Sequence, residues 1–376
     1  MIDIMLNTEH GSISLAETLS VLDFGLSSIT FENSQDYLYH KSRPDTREYI
    51  EISADSPKWK RENIAQPKPE PWWQSQYPPF HYRDTLAFNL PIILTRNTEP
   101  SLTLELEGLD RDVLVSVNGG AYLSASDARP IEELSNRIGS GIRTLHFRFA
   151  VEDEPVIIEI PGEFTTDHIV YTIFDEPVLL DATSWGGSPA LPWLQGVALC
   201  SEWCSGDETE EEAVYHIRQA IIYDLGFYYS GRNYTHYDGS YTDWDRIHLE
   251  FADFLDMSLG DRLYCHDVAC AFSAFAGNIG IDLPYVYLGI GFSTNFIRGI
   301  GHDSWTTFSW TAHSVNSLNG GETVYDACLN LDGDDDPSSA PHTDLDVADI
   351  SLSEYLDRLS AGSPPTIQHT GYPLIH

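Results

Sequence analysis

The sequence predicts a multidomain protein of the β plus α+β class, and two features of its 376 residues predict it. Between residues 79 and 185, apolar and polar residues alternate in short runs separated by turn signals, a pattern typical of β-strands. After residue 186, helical periodicity comes first and strand-like runs follow, which is the order of an α+β domain. We therefore expect an N-terminal segment over 1–78, a β domain over 79–185 and an α+β domain over 186–376.

Composition and charge exclude several kinds of partner. Hydrophobic residues make up 42% of the chain and aromatic residues 12%, which is typical of globular domains. The formal net charge of −38 leaves no basic surface for nucleic acid or for an anionic membrane, and no apolar run is long enough to span a bilayer. All lysines precede residue 70. Such an acidic, lysine-poor surface suits either high salt or a crowded assembly.

Cysteine usage and the start of the chain bear on localisation. Five cysteines, an odd number, argue against a complete disulfide framework, and their spacing lacks the matched pairs of a zinc site. The opening Met1-Ile2-Asp3-Ile4-Met5 has neither the basic start nor the apolar run of a signal peptide. We expect cytoplasmic synthesis without a signal peptide, no cofactor and no metal, with incorporation into a particle as an open alternative.

Residues 1–78 show no clean helix or strand period. The stretch from Pro67 to Pro79 is rich in proline, which predicts an extended linker. We expect Trp72 and Trp73 to pack this linker against the next domain, with a docking patch as the alternative. The segment is also a candidate surface for protein partners.

The predicted middle domain shows strand patterns along its length. Leu102, Leu104 and Leu106 alternate with polar residues, and a second alternating run from Val113 to Val117 leads into a turn at Asn118-Gly119-Gly120. Short strands at this spacing predict a β-sandwich of the immunoglobulin-like kind. Because the region shows no catalytic grouping of residues, we expect a structural or partner-docking module.

The predicted last domain begins after a linker at Ser184–Pro189. We expect two helices, a third helix opened by Cys265, and then an antiparallel sheet. The two helices are expected over Asp207–Tyr223 and Trp244–Met257, and the strands over Tyr285–Leu288, Thr306–Ser317 and Glu322–Leu329.

Cys265 stands at the predicted start of the third helix. Apolar residues follow it at the spacing of one buried helical face, Asp261 is a candidate cap at the start and Gly280 can close the end. The free N–H groups and the dipole of a first helical turn stabilise a thiolate, which suits nucleophilic attack. The alternative interpretation of Cys265 is a small buried hydrophobe.

His313 and Asp326 lie on the two strands around the hairpin signal Asn319-Gly320. A two-residue loop of Asn319 and Gly320 places His313 directly opposite Asp326, where the carboxylate can fix the ring tautomer and stabilise the imidazolium. A Gly320-Gly321 loop instead places Cys328 opposite His313 and makes Asp326 a diagonal neighbour, which still allows contact.

Four motifs now stand in order along the chain: Cys265-His266-Asp267, Ile279-Gly280-Ile281-Asp282-Leu283-Pro284-Tyr285-Val286, His313, and Val324-Tyr325-Asp326. This series resembles the transglutaminase-like superfamily of papain-type cysteine enzymes over about residues 205–335. The resemblance implies that Cys265 is the nucleophile, His313 the base and Asp326 the orienting group. It also implies thiol-dependent acyl transfer or hydrolysis of an amide bond in a protein or peptide substrate.

Two further interpretations complete the prediction. Trp244 is a candidate oxyanion donor beside the backbone N–H of Cys265. The acidic run Asp332–Asp336 resembles a calcium loop only loosely, because Pro337 stands where the pattern needs glycine, so a solvated acidic turn is expected.

The alternative function is that of a structural component in a large assembly. Such a component, in a virion or tail-like particle, would carry a transglutaminase-like domain that is either inactive, as in some members of that superfamily, or still active as a particle-borne hydrolase.

Overall fold

The computed structural model describes residues 92–96, 101–107, 113–130, 137–153, 156–181, 188–189, 193–230, 247–255, 261–345 and 350–375, together with six short strands before residue 61. The chain forms two compact units. The first contains residues 1–37, 52–136 and 140–172, and the second contains residues 38–51, 137–139 and 173–376. The described residues are rich in β-sheet with few helices, a sheet-rich α+β class. The boundaries at 78/79 and 185/186 stay predictions.

The first part of the chain is built of strands. In chain order they are β1 (Met5–Thr8), β2 (Gly11–Ser14), β3 (Gly25–Glu32), β4 (Tyr37–Lys41), β5 (Tyr49–Ser53), β6 (Lys58–Lys60), β7 (Ile92–Thr95), β8 (Ser101–Glu107), β9 (Val113–Val117), β10 (Leu123–Ser124), β11 (Arg129–Pro130), β12 (Gly139–Asp153) and β13 (Val156–Ile173). One sheet has the order β10-β9-β12-β13-β7 and another the order β11-β8-β3-β6, while β1–β2 and β4–β5 pair separately.

Both large sheets of this part contribute to one hydrophobic core. Ile29 and Leu104 come from the sheet that contains β3 and β8, and Val115 and Phe147 come from the sheet that contains β9 and β12. Leu102 and Leu104 are buried and their polar neighbours are not, as the alternation predicted. Burial of each such side chain contributes about 1.5–3 kcal/mol to folding.

The second part adds five helices and twelve strands among the described residues. The helices are α1 (Leu194–Trp203), α2 (Glu210–Tyr223), α3 (Phe251–Leu255), α4 (Cys265–Asn278) and α5 (Leu352–Leu359). The strands are β14 (Leu180–Asp181), β15 (Ser188–Pro189), β16 (Tyr228–Tyr229), β17 (His248–Leu249), β18 (Arg262–Leu263), β19 (Tyr285–Ser293), β20 (Ile297–Gly299), β21 (Ser309–Leu318), β22 (Thr323–Tyr325), β23 (Leu329–Leu331), β24 (Thr366–Gly371) and β25 (Leu374–Ile375).

Helix α4 occupies the centre of the second unit. All of its 14 residues are buried, whereas the sequence pattern predicted one buried face. Small residues such as Ala271 and Gly277 explain the difference, because they let neighbouring elements approach on every side. A Cβ at Gly277 would lie 2.3 Å from the Val178 carbonyl oxygen. The helix packs on the sheet β22-β21-β19-β24 and on helices α1 and α2.

The ends of α4 agree only in part with prediction. Gly280 follows the helix with a φ of 81°, as expected of a closing glycine. The prediction that Asp261 caps the start is wrong. Arg262 and Leu263 form β18 in parallel with β16, so the helix begins after Tyr264, whose N–H donates to the Asp267 carboxylate at 3.5 Å.

The two predicted upstream helices fare differently. Helix α2 is present, and Thr209 forms a capping box with Glu212 at its start. The helix predicted over Trp244–Met257 is wrong at His248–Leu249, which is strand β17, and among the described residues of that range Phe251–Leu255 is helical. The reason is non-local, because β17 pairs in parallel with β25 near the far end of the chain.

The hairpin register differs from the favoured prediction. The pairs Leu318–Thr323, Ser317–Val324 and Asn316–Tyr325 match the register of the alternative Gly320-Gly321 loop. Asn319, Gly320 and Gly321 all have positive φ angles of 54°, 70° and 101°, so the connection is a wider loop than a two-residue turn. The predicted strand Glu322–Leu329 is also split into β22 and β23, with Asp326 in the break.

Candidate active site

Cys265 is the first residue of α4 and has 7% of its surface exposed. Strand β18 fixes the approach to the helix, and the Cys265 side chain lies at the end where backbone N–H groups have no partner in the helix. The same helix start carries His266 and Asp267, both buried. The thiol therefore lies beside the positive end of the helix dipole.

His313 lies on β21, opposite Leu288 of β19, and is completely buried. Its Nε2 atom is 2.9 Å from Oδ2 of Asp326, which is also completely buried. The two residues are not directly opposed in the hairpin, because Asp326 comes after β22 has ended. The contact is the diagonal one that the alternative register allowed.

Asp326 is held by three donors and anchors a turn. Its Oδ2 accepts hydrogen bonds from His313 and, at 2.5 Å, from the Tyr355 hydroxyl. Its Oδ1 accepts the backbone N–H of Cys328 at 2.7 Å. This bond turns the backbone between β22 and β23. The buried carboxylate is therefore well satisfied, as a buried charge must be.

The charges of the pair stabilise each other. Burial works to lower the pKa of His313, but the charge and hydrogen bond of Asp326, together with the Cys265 thiol, raise that pKa to about 9. Burial works to raise the pKa of Asp326, but His313 and the hydrogen bonds hold it below its ordinary value. At neutral pH the pair is an imidazolium beside a carboxylate.

The second ring nitrogen of His313 is the one available to Cys265. Nδ1 is buried and makes no hydrogen bond of good geometry to any described residue. The Cys265 side chain nevertheless lies close enough to contribute to the raised pKa of the His313 ring. Cys265, the His313 imidazole and the Asp326 carboxylate thus lie in that order.

Aromatic side chains enclose this group. The indole of Trp310 stacks on the His313 ring with centroids 4.6 Å apart and planes at 20°. Tyr229, on β16, is buried, and burial together with the nearby Cys265 raises the pKa of its hydroxyl. Both rings keep water away from a buried ion pair, which strengthens its electrostatic interaction.

His266 plays a different part from His313. Its Nδ1 atom is 2.8 Å from the Ser314 hydroxyl, and its ring stacks on Tyr287 with centroids 5.0 Å apart. Burial and, second, the charge of His313 lower the pKa of His266 to about 3. This imidazole is therefore neutral, and its contacts are with Ser314 and Tyr287.

Arg218 and Cys328 fix the backbone around the site. Arg218, buried on α2, donates from Nε to the Asp326 carbonyl oxygen at 2.7 Å and from Nη2 to the Asn330 side chain at 3.2 Å. The Cys328 thiol lies 3.8 Å from the Cys265 carbonyl oxygen. These contacts connect the start of α4 to the turn that carries the carboxylate.

Sequence reasoning missed several of these residues. Tyr355 and Leu359 form the buried face of α5, so the spacing marks Tyr355 as a core residue, but only the tertiary structure brings its hydroxyl to Asp326. Arg218 and Tyr229 gave no local signal. The oxyanion candidate Trp244 lies outside the described residues, as do Trp72 and Trp73.

The acidic loop after β23 is solvated only in part, because Asp335 and Asp336 are exposed and Asp332 is buried. Asp332 is buried and accepts hydrogen bonds from His342 at 2.5 Å and from the Thr343 N–H at 3.0 Å. Asp332, Asp334 and His342 each offer one ligand atom within 4.8 Å of the others, so they could hold a metal ion. The existing hydrogen bonds already satisfy the Asp332 carboxylate.

A cavity of about 370 Å³ lies apart from this chemistry. It is lined by Tyr228, Ser230, Asp261 and Arg262. Tyr228 and Arg262 are on the exposed side of the β16–β18 pair, whereas Tyr229 and Leu263 are on the buried side that Cys265 shares. We assign this cavity no part in the site.

Comparison of the sequence with protein-family models and with curated proteins finds no match. Within the part of the chain that the structure describes, every helix is too short or too polar to cross a bilayer.

Proposed function

We propose that this protein is a thiol-dependent enzyme of the transglutaminase-like kind, which cleaves or transfers the acyl group of an amide. The observation that carries the proposal is the buried His313–Asp326 hydrogen bond of 2.9 Å, which leaves Nδ1 of His313 for Cys265. Cys265 at a helix start and His313 with a raised pKa are the two halves of a thiolate–imidazolium pair.

In the proposed reaction, the Cys265 thiolate attacks the amide carbonyl carbon and forms a tetrahedral oxyanion. The backbone N–H of Cys265 and the Tyr229 hydroxyl are the proposed donors to that oxygen. His313 then gives its proton to the departing amine, the C–N bond breaks and a thioester remains on Cys265. Water or a second amine attacks the thioester, His313 takes the proton of that nucleophile, and the thiolate is released. Water gives hydrolysis and an amine gives transamidation.

The proposed substrate is a protein or peptide, and the rest of the molecule is proposed to bind protein partners. The two sheets that share the core around Ile29 and Phe147 support an immunoglobulin-like sandwich as a docking module. All five cysteines are free thiols, which supports synthesis in a reducing, cytoplasmic compartment.

Selective alkylation tests the proposed nucleophile. Iodoacetamide at pH 7 should modify Cys265 faster than Cys270, a fully buried cysteine of the same helix, and peptide mass spectrometry measures both rates in one sample. His313→Ala should slow Cys265 and leave Cys270 unchanged. Equal rates at the two cysteines, or a Cys265 rate indifferent to His313, would contradict the proposal.

A further inference from the structure

The Tyr355 hydroxyl is a buried polar group that the proposed reaction does not use. Tyr355 has no exposed surface, and its hydroxyl donates to Oδ2 of Asp326 at 2.5 Å. The same oxygen accepts Nε2 of His313 at 2.9 Å. One oxygen atom is thus shared between the general base and a tyrosine from a helix that carries no other member of the site.

The helix that carries Tyr355 is anchored independently of this contact. Ser351 caps the start of α5 by accepting the Glu354 N–H. Arg358 of α5 donates to the carbonyl oxygens of Asp332 and Asp334 at 3.4 and 3.3 Å, and Asn295 donates to the Arg358 carbonyl oxygen at 2.9 Å. The hydroxyl is therefore brought to the carboxylate by a fixed element.

The carboxylate needs such a donor because its surroundings favour its neutral form. Asp326 has no exposed surface, and burial alone works against its ionisation. A donor that cannot itself give up its proton near neutral pH stabilises the charged form without competing for the role of base. Burial and the adjacent Asp326 raise the pKa of Tyr355 well above its ordinary value, so this phenol stays a donor.

We propose that Tyr355 is a positioning residue of the site, whose hydroxyl keeps Asp326 ionised and directs its Oδ2 atom at Nε2 of His313. The inference rests on the proposed function. Tyr355 acts through the carboxylate of Asp326.

Several other side chains affect the charge of the Asp326 carboxylate, and the test must leave them unchanged. The titratable and charged side chains that face the His313–Asp326 pair or its backbone are Cys265, His266, Cys328, Tyr229, Tyr355 and Arg218. Two side chains donate to the Asp326 carboxylate, those of Tyr355 and of His313. Removal of the Tyr355 hydroxyl alone therefore isolates its effect on the carboxylate.

The experiment measures the rate of Cys265 alkylation by iodoacetamide between pH 4 and 10 in the full chain. On the acid limb of this profile the labelling rate falls as the pH is lowered. In Tyr355→Phe the midpoint of that fall should move to a pH roughly one unit higher, because the Asp326 carboxylate takes up a proton more readily. Below the midpoint, Cys265 should then be labelled about tenfold more slowly than in the wild type. Tyr285→Phe is the matched control, since Tyr285 is an equally buried tyrosine of the same unit. Its profile should overlay that of the wild type.

A second background separates positioning from packing. Asp326→Asn has no carboxylate charge for the Tyr355 hydroxyl to stabilise. The double variant Asp326→Asn/Tyr355→Phe should therefore have the same acid limb as Asp326→Asn alone. A shift of equal size in both backgrounds, or no shift in Tyr355→Phe alone, overturns the inference. If Cys265 is labelled at the same rate in His313→Ala and in the wild type, the proposed function fails instead. The same measurements therefore distinguish failure of the inference from failure of the proposed function.

A fluorinated tyrosine tests the inference even if Tyr355→Phe does not fold. Tyr355→3-fluorotyrosine keeps the hydroxyl and makes it a stronger donor, so the acid limb should move to lower pH, opposite to the Phe variant. A limb that stays in place or moves up in this variant overturns the inference.

Discussion

Nε2 of His313 and Oδ2 of Asp326 lie 2.9 Å apart, although the hairpin does not pair the two residues directly. Strand β22 ends at Tyr325, and the hydrogen bond from the Cys328 N–H to Oδ1 of Asp326 turns the chain there. The carboxylate is thereby brought back toward β21. The contact depends on the turn after the strand as much as on the strand register, and this makes Asp326 the most informative residue to change.

Asp326→Asn should slow alkylation of Cys265 at pH 7 at least tenfold. The amide keeps the size of the side chain but removes the charge that raises the pKa of His313 to about 9, so the imidazolium that stabilises the thiolate is lost. The rate is measured by mass spectrometry of the Cys265 peptide. Asp303→Asn, at an exposed position, is the control and should label like the wild type. Unchanged labelling in Asp326→Asn would show that the carboxylate does not act on the site.

Arg218→Met should destabilise the second unit by about 2–4 kcal/mol. The change removes the donor to the Asp326 carbonyl oxygen, which remains buried without its partner. Arg218→Lys should recover little, because the ammonium lacks the fork that reaches Asp326 and Asn330 together. Urea unfolding measures both variants against Arg262→Met, a change of the same kind at an exposed arginine. Equal losses at positions 218 and 262 would contradict this account.

Gly280→Ala, just after the end of α4, should lower the free energy of unfolding more than an alanine at another glycine with positive φ. An added Cβ would lie 2.1 Å from the Asp175 carbonyl oxygen, in addition to the strain of a φ of 81°. The matched control is Gly226→Ala, where φ is 70° and nothing lies within 4 Å of the added Cβ. The control should lose about 1–2 kcal/mol from φ strain alone, and Gly280→Ala at least about 2 kcal/mol more. Thermal unfolding compares the two, and similar losses would mean that the clash relaxes freely.

His266→Gln should flatten the acid side of the stability profile. The folded-state pKa of His266 is about 3, below the ordinary value of about 6.5, so its contribution is present above pH 6.5 and is lost as the pH falls toward 3. Between pH 6 and pH 4 this histidine should lower the free energy of unfolding of the wild type by roughly 2 kcal/mol. The glutamine variant should not show that loss. Urea unfolding at pH 4, 5, 6 and 7.5 measures it. The two proteins should have parallel curves above pH 6.5, and parallel curves below it would contradict the prediction.

Prediction from sequence succeeded where the cause is local. Alternation at Leu102 and Leu104 marks a strand with one buried face, and Gly280 marks the end of a helix because its positive φ needs no distant partner. The spacing after Cys265 correctly placed that residue at a helix start. These features follow from neighbouring residues alone.

Prediction failed where distant segments decide. Strand β17 exists because β25 pairs with it, and the favoured hairpin register failed because three successive positive φ angles widen the loop. The contacts of Arg218 and Tyr355 with Asp326 join segments 108 and 29 residues apart. No periodic pattern encodes such a pairing. The catalytic role proposed for Cys265, His313 and Asp326 stays a prediction until the labelling is measured.

The convergence of α2, β21 and α5 on Asp326 has a consequence for the order of events during synthesis. Cys265 leaves the ribosome before His313, Asp326 and Tyr355, so the nascent chain carries the thiol before the His313–Asp326 pair exists. Contacts that close long loops form late in folding, because their loop entropy must be overcome first. We expect the Cys265 thiol to gain its reactivity toward iodoacetamide only after β21 and the turn at Asp326 have formed.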